Sequence, residues 1–112
     1  MPEQMIASQG AVSTKVACAL AEQGLKKLQE NSFLAKSYAL LAPKGLVCVS
    51  TTGIAGPLGG SKEKPVGLCY IGLAKTGQPT LVEPFQVASP KDRLDTKMQF
   101  AQKALELLLK NL

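Results

Sequence analysis

Two short apolar runs, Leu46-Val47-Cys48-Val49 and Leu68-Cys69-Tyr70-Ile71, flank the segment Thr51-Thr52-Gly53-Ile54-Ala55-Gly56-Pro57-Leu58-Gly59-Gly60-Ser61-Lys62-Glu63-Lys64-Pro65-Val66-Gly67. Apolar runs of this length bounded by turn residues read as buried strands, which makes the segment a Gly-rich loop joining them. Glycine lacks a Cβ, so such a loop can bend tightly or bring its amide N–H groups close to an anion. Two readings follow, a ligand-binding loop and a long structural turn, and composition alone does not choose between them.

The standard nucleotide motifs are absent from it. A Walker A loop needs G-x-x-x-x-G-K-[ST] opening a helix, whereas here the order is Gly60-Ser61-Lys62 and a proline and a strand follow. The dinucleotide fingerprint G-x-G-x-x-G fails as well, because Gly53 and Gly56 are three apart and no helix begins after Gly60.

Around the loop the pattern is mixed α/β. Ser13 is a candidate N-cap for a helix whose apolar positions Val16, Leu20, Gly24 and Leu28 recur at four-residue steps beside Ala17, Ala21 and Leu25, with Gly24 marking close packing on a sheet. Residues 31–42 suggest a second short helix ended by Pro43. Strands are predicted over 46–50, 66–74 and 80–87. The short Thr76-Gly77-Gln78-Pro79 turn implies that the last two are antiparallel, and Pro84 places the third at an edge or a bulge. Ser89-Pro90 reads as the start of a final helix. Its stripe Leu94, Met98, Ala101, Leu105, Leu108 and Leu112 reads as core, with a seam to a second subunit as the alternative.

Composition narrows the chemistry further. The 112 residues, 46% hydrophobic, suit one small domain. Neither an apolar run of about 20 residues nor a charged-then-apolar amino terminus is present, so a cytoplasmic protein without membrane association is expected. Cys18, Cys48 and Cys69 are widely spaced in apolar contexts and read as buried thiols rather than disulfides or metal ligands. With no histidine, Ser-His-Asp and Cys-His catalysis are excluded. The net charge of +5 is carried almost wholly by lysine, and the aromatics are scattered, which disfavours a nucleic-acid surface.

Thr52-Gly53-Ile54-Ala55-Gly56-Pro57, Gly59-Gly60 and Glu63-Lys64-Pro65-Val66-Gly67 resemble, in residues and in spacing, the signature of the CinA C-terminal domain family. Gly10-Ala11-Val12-Ser13 before a helix, and Asp92-Arg93 opening the last helix, resemble the same family. That resemblance implies an α/β fold, a three-layer α/β/α sandwich with a mixed sheet, often dimeric, in which the Gly-rich loop joins two central strands. It also implies an activity, the deamidation of nicotinamide mononucleotide, with no cofactor or metal. The family's Ser-Cys-Thr-Gly-Gly motif, with the proposed nucleophile, and its Asn-Glu-Ala-Lys segment, with the proposed base, have no counterpart in this sequence, which reads as a single domain over 1–112 lacking a first strand and helix.

The implied ligand-binding residues are Thr52, Gly53, Ala55, Gly56, Gly59, Gly60, Arg93 and Lys97, the last at a position where the family usually has arginine. No catalytic residue is assigned. The expectation is a domain that keeps the nucleotide-binding part and is not catalytic alone, associating with itself or with a partner chain that supplies the missing segment. An active amidase, alone or as half of a split enzyme, is the alternative. Ser50, Thr51, Thr52 and Ser61 border the loop as substitute nucleophiles, but Lys62 and Lys64 in a polar turn should be solvated and poor bases.

Overall fold

A computed structural model describes residues 10–31, 46–56, 60, 64–90 and 92–111. The helix predicted over 31–42 falls almost wholly outside these residues, as do Gly59, Ser61, Lys62 and Leu112. The described elements run α1 (Thr14–Glu30), β1 (Val47–Gly53), β2 (Leu68–Lys75), β3 (Leu81–Gln86) and α2 (Arg93–Lys110).

Each helix starts where a side chain satisfies its first free amides. Ser13 is extended, and its Oγ accepts from the Val16 amide at 3.2 Å, a cap worth about 1 kcal/mol. At α2 the cap is Asp92, whose carboxylate accepts from the Asp95 amide at 2.8 Å. The helix therefore begins at Arg93 and not at Ser89-Pro90. Thr96 reinforces the turn by donating its hydroxyl to the Asp92 carbonyl at 2.9 Å.

The sheet has the order β1-β2-β3, and both pairings are antiparallel. β1 runs from Val47 opposite Lys75 to Gly53 opposite Cys69. Thr51, Thr52 and Gly53 are thus strand residues, since β-branched threonines extend the strand well past the predicted end at Ser50. Two expectations need correcting for the described strands. The sheet is antiparallel throughout rather than mixed, and β1 lies at an edge, leaving β2 as the central strand. Pro84 sits on the edge strand β3, opposite Tyr70, where its missing N–H costs no ladder bond to a further strand.

Alternation along β2 builds the three layers. Cys69, Ile71 and Leu73 are buried on one face in a cluster with Phe100, Ala104 and Leu107 of α2. Gly72 and Ala74 point to the other face, where α1 presents buried Val16, Ala17 and Ala21. The approach of α1 is close enough that a Cβ on Gly72 would lie 2.5 Å from the Ala17 carbonyl oxygen. Ser50 Oγ donates to that same oxygen at 2.6 Å, tying β1 to α1. Gly24 marks close packing as expected, its α-carbon facing Cys48 Sγ.

Each helix buries only part of its predicted apolar face. In α1 Val16, Ala17 and Ala21 are buried as expected, while Leu20 is 37% exposed. In α2 the buried residues are Thr96, Phe100, Ala104 and Leu107. Of the stripe read as core, Leu94, Met98 and Leu105 are exposed by 70%, 64% and 57%, beside Leu109 at 70%, whereas Leu108 packs against the core cluster. Among the described residues no helix is long and apolar enough to cross a membrane.

Candidate functional site

Past Gly53 the chain is clamped to the start of β2. The Ile54 amide donates to the Leu68 carbonyl at 2.9 Å, and the Gly67 amide donates to the Ile54 carbonyl at 2.7 Å. This short ladder holds Ala55 and Gly56 in fixed positions at the end of the sheet. Gly56 has φ +80, a left-handed conformation that only glycine adopts without strain, and a Cβ there would strike Val66. Its carbonyl accepts from Arg93 Nη1 at 3.3 Å, so the first residue of α2 reaches across to the Gly-rich segment.

On the other side of the same end, Thr52 Oγ1 donates to the Ala11 carbonyl at 2.6 Å, and Ser13 Oγ donates to the Gly10 carbonyl at 3.2 Å. The Lys64 ammonium approaches Gly10, with Nζ 3.2 Å from where a Cβ on Gly10 would sit. The turn at 10–13, the end of β1, Gly56 and the start of α2 therefore converge at one end of the sheet.

The predicted site residues divide in two. Gly53, Ala55 and Gly60 have packing roles: Gly53 lies against Cys69 and Phe100, the Ala55 side chain is buried in the core cluster, and Gly60 faces the Val66 amide. Thr52 has its hydroxyl hydrogen committed to Ala11. Arg93 and Lys97 are exposed one helical turn apart, and Lys97 makes no ion pair or hydrogen bond to another described residue. Among the described residues the amides of Ala55 and Gly56 donate to no acceptor, although both residues are buried. Two consecutive amides without an acceptor among the described residues, beside a guanidinium, make an arrangement suited to an anion. The positive end of α2 adds to it, while Asp92 and Asp95 at the same helix start oppose it. Gly59 is outside the described residues.

Sequence reading missed the acceptors at Gly10 and Ala11. They are backbone carbonyls, which residue identity does not reveal.

The hydroxyls near this end bear on catalysis. Ser13, Ser50 and Thr52 each donate to a backbone carbonyl, to Gly10, Ala17 and Ala11 respectively. A nucleophilic hydroxyl must instead donate to a base that can take its proton. The thiols are no better suited. Burial pushes the Cys69 thiol up from 9.0 to about 11 and raises Cys48, so both are protonated at neutral pH. Cys18 lines an open depression of about 350 Å³ with Thr14, Lys15, Ala19, Glu22 and Val82, but burial and then the Glu22 charge raise its pKa too.

The buried Cys69 thiol makes stability depend on alkaline pH. Its folded pKa is raised, so its contribution is intact below about 9 and is lost as pH rises toward about 11, while the unfolded chain ionises first. Denaturant unfolding across that window should show a loss of roughly 2–3 kcal/mol attributable to this group. Cys69→Ala should flatten the slope by that amount, and an unchanged slope would contradict the assignment.

Comparison with known proteins agrees with the fold. The family model of the CinA C-terminal domain matches residues 1–112. A CinA-like protein of Microcystis aeruginosa is 41% identical over 85 residues, covering 73% of this chain and 20% of that protein. A CinA-like protein of Chlorobium phaeobacteroides is 35% identical over 105 residues, covering 92% of this chain and 21% of that protein. The chain thus spans about a fifth of the length of these relatives. The crystal structure of the competence/damage inducible protein CihA from Agrobacterium tumefaciens superposes with a TM-score of 0.77 at 28% identity, over 97% of this chain and 56% of that one. A CinA superfamily protein from Escherichia coli gives 0.74 at 24% identity, over 99% and 54%. With its fold, its Gly-rich segment and these matches in agreement, the chain belongs to the CinA C-terminal domain family.

Proposed function

We propose that this domain binds a nicotinamide mononucleotide-like phosphomonoester at the end of the sheet where Gly56 and Arg93 meet, with Lys97 one helical turn further along, and that it does not hydrolyse the amide by itself. The observation that carries the binding half is the pair of amides at Ala55 and Gly56, without an acceptor among the described residues, beside the Arg93 guanidinium. A phosphate dianion could accept from those amides and from the remaining Arg93 donors, with Lys97 adding charge one turn away. Lysine at 97 makes a point-charge contact and not a bidentate one. The non-catalytic half rests on Ser13, Ser50 and Thr52, whose hydroxyl hydrogens are directed to carbonyls and not to a base. In this reading a nucleophile and its base come from residues beyond those described or from a partner chain, in the cytoplasm where such nucleotides occur.

Calorimetric titration with nicotinamide mononucleotide tests the site. Weak binding is expected in the wild type. Arg93→Ala removes a charged hydrogen bond worth about 1.5–3 kcal/mol, so affinity should fall roughly ten- to a hundredfold with the fold retained, because Arg93 is exposed. Equal affinity in both proteins, or no heat at millimolar ligand, leaves the Gly-rich segment as a structural turn.

A further inference from the structure

The β2–β3 ladder ends with Leu68 opposite Gln86, yet the two chains stay joined beyond it. The Val87 amide donates to the Gly67 carbonyl at 2.9 Å, and the Gln86 side chain makes the next bond, from Nε2 to the Val66 carbonyl at 3.0 Å. The backbone ladder does not reach Val66, because Gly67 at φ +93 turns the chain out of the strand. A Cβ on Gly67 would lie 2.7 Å from Gln86 Nε2, so glycine there also makes room for the amide. A second bond from Nε2, to the Val87 carbonyl at 3.0 Å, holds the side chain in this orientation. Gln86 is exposed, and a glutamine held at both amide hydrogens gives up rotamer freedom that water-facing glutamines keep.

The two chains that Gln86 joins each carry one half of the candidate anion site. Val66 rests on both ends of the span from Gly56 to Gly60: a Cβ on Gly56 would lie 2.5 Å from Val66 Cγ1, and a Cβ on Gly60 would lie 2.9 Å from Val66 Cγ2. Where Val66 sits therefore sets where Gly56 and its amide sit. On the other chain, buried Val87 begins the connection to Asp92 and Arg93. Arg93 Nη1 meets the Gly56 carbonyl at 3.3 Å, longer than the usual ~2.9 Å, and one long contact from a flexible side chain does not fix the halves relative to each other. The single bond between Val87 and Gly67 leaves them free to turn about it. The Gln86 bond to Val66 supplies the second point that stops this turning.

We infer that Gln86 is a positioning residue, which through Val66 holds the Ala55 and Gly56 amides at a fixed distance from the Arg93 guanidinium. Its effect on affinity rests on the nucleotide reading of that site, whereas the placement itself is measurable without ligand.

Nitrogen–proton correlation spectra of the ligand-free chain test the placement. Gln86→Met keeps the length of the side chain and removes its donors. It should shift the Gly56 amide and Arg93 Nε–H signals while those of Ala17 and Ala21 in α1 stay in place, with Tm lowered by no more than about 5 °C because residue 86 is exposed. Calorimetric titration with nicotinamide mononucleotide reads the consequence. Affinity should fall roughly three- to tenfold in Gln86→Met. It should keep the wild-type value in Thr80→Val, which loses a side-chain hydrogen bond to Glu22 of 2.7 Å at the opposite end of β3. In an Arg93→Ala background the further loss from Gln86→Met should be less than about twofold, since no guanidinium is left to place. Unmoved Gly56 and Arg93 signals overturn the inference whether or not the nucleotide binds. An equal fold loss with and without Arg93 also overturns it, being what damage to the fold alone produces. A wild type that gives no heat, with the signals moving as expected, overturns the nucleotide reading and upholds the placement by Gln86.

Discussion

Gly72→Val should be the most damaging single substitution on the sheet, lowering Tm by roughly 15 °C or more, or preventing folding outright. A Cβ at this position would lie 2.5 Å from the Ala17 carbonyl oxygen and 2.6 Å from Ser50 Oγ. The first contact is backbone in the first turn of α1, anchored by the Ser13 cap, and cannot rotate away as a side chain would. Relief requires α1 to lift from the sheet, which breaks the Ser50 to Ala17 hydrogen bond and opens the contacts of fully buried Ala17 and Ala21. Overpacking of this kind costs about 1–3 kcal/mol, and the lost buried hydrogen bond and helix packing add to it. Against a total stability of about 5–15 kcal/mol for a domain of this size, that is a large share. Thermal unfolding by circular dichroism reads the effect directly. A Tm within a few degrees of wild type would mean that α1 does not pack on β2 as described.

The second large effect is expected at Gly56, where fold and site meet. Valine at φ +80 is strained by about 1–3 kcal/mol, and its Cβ would start 2.5 Å from Val66 Cγ1. Val66 is only half-buried and can partly rotate, so backbone strain dominates. Moving Gly56 also withdraws the carbonyl that accepts from Arg93 and reorients the Ala55 and Gly56 amides. Gly56→Val should therefore lower Tm by about 5–15 °C and reduce nucleotide affinity at least as much as Arg93→Ala. Gly56→Asn, which tolerates positive φ better, should recover much of the stability. If Gly56→Val binds and melts like the wild type, neither the positive φ nor the Arg93 contact has the role given to it.

Some of this was legible in the sequence, for physical reasons that differ from element to element. Ser13 was readable as a cap because capping is a local event within four residues. Gly24 was readable as a close contact because its helix penalty needs a compensating gain. The strand at 47–53 was cut short because glycine and threonine at the start of a Gly-rich segment look like turn chemistry, whereas pairing across to Cys69 and Tyr70 holds them extended. In α2 the failure has a sharper cause. Leu94, Met98, Ala101 and Leu105 on one side, and Phe100, Ala104 and Leu107 on the other, both follow helical spacing, and periodicity cannot say which of two apolar faces meets the sheet. The buried face includes Thr96, whose hydroxyl is satisfied by the Asp92 carbonyl and so is buried without penalty. At the site, Arg93 and Gly56 were both singled out from sequence, but their contact spans 37 residues and emerges only from the fold.

The behaviour proposed for this domain is binding of a nicotinamide nucleotide without turnover. A coupled ammonia-release assay with nicotinamide mononucleotide, run on this chain alone at a ligand concentration where calorimetry detects binding, tests it most directly. Ammonia release no faster than the buffer blank is expected, because Ser13, Ser50 and Thr52 direct their protons to backbone carbonyls. Release clearly above the blank, and abolished by Thr52→Ala, would contradict it and make this end of the sheet a complete amidase centre.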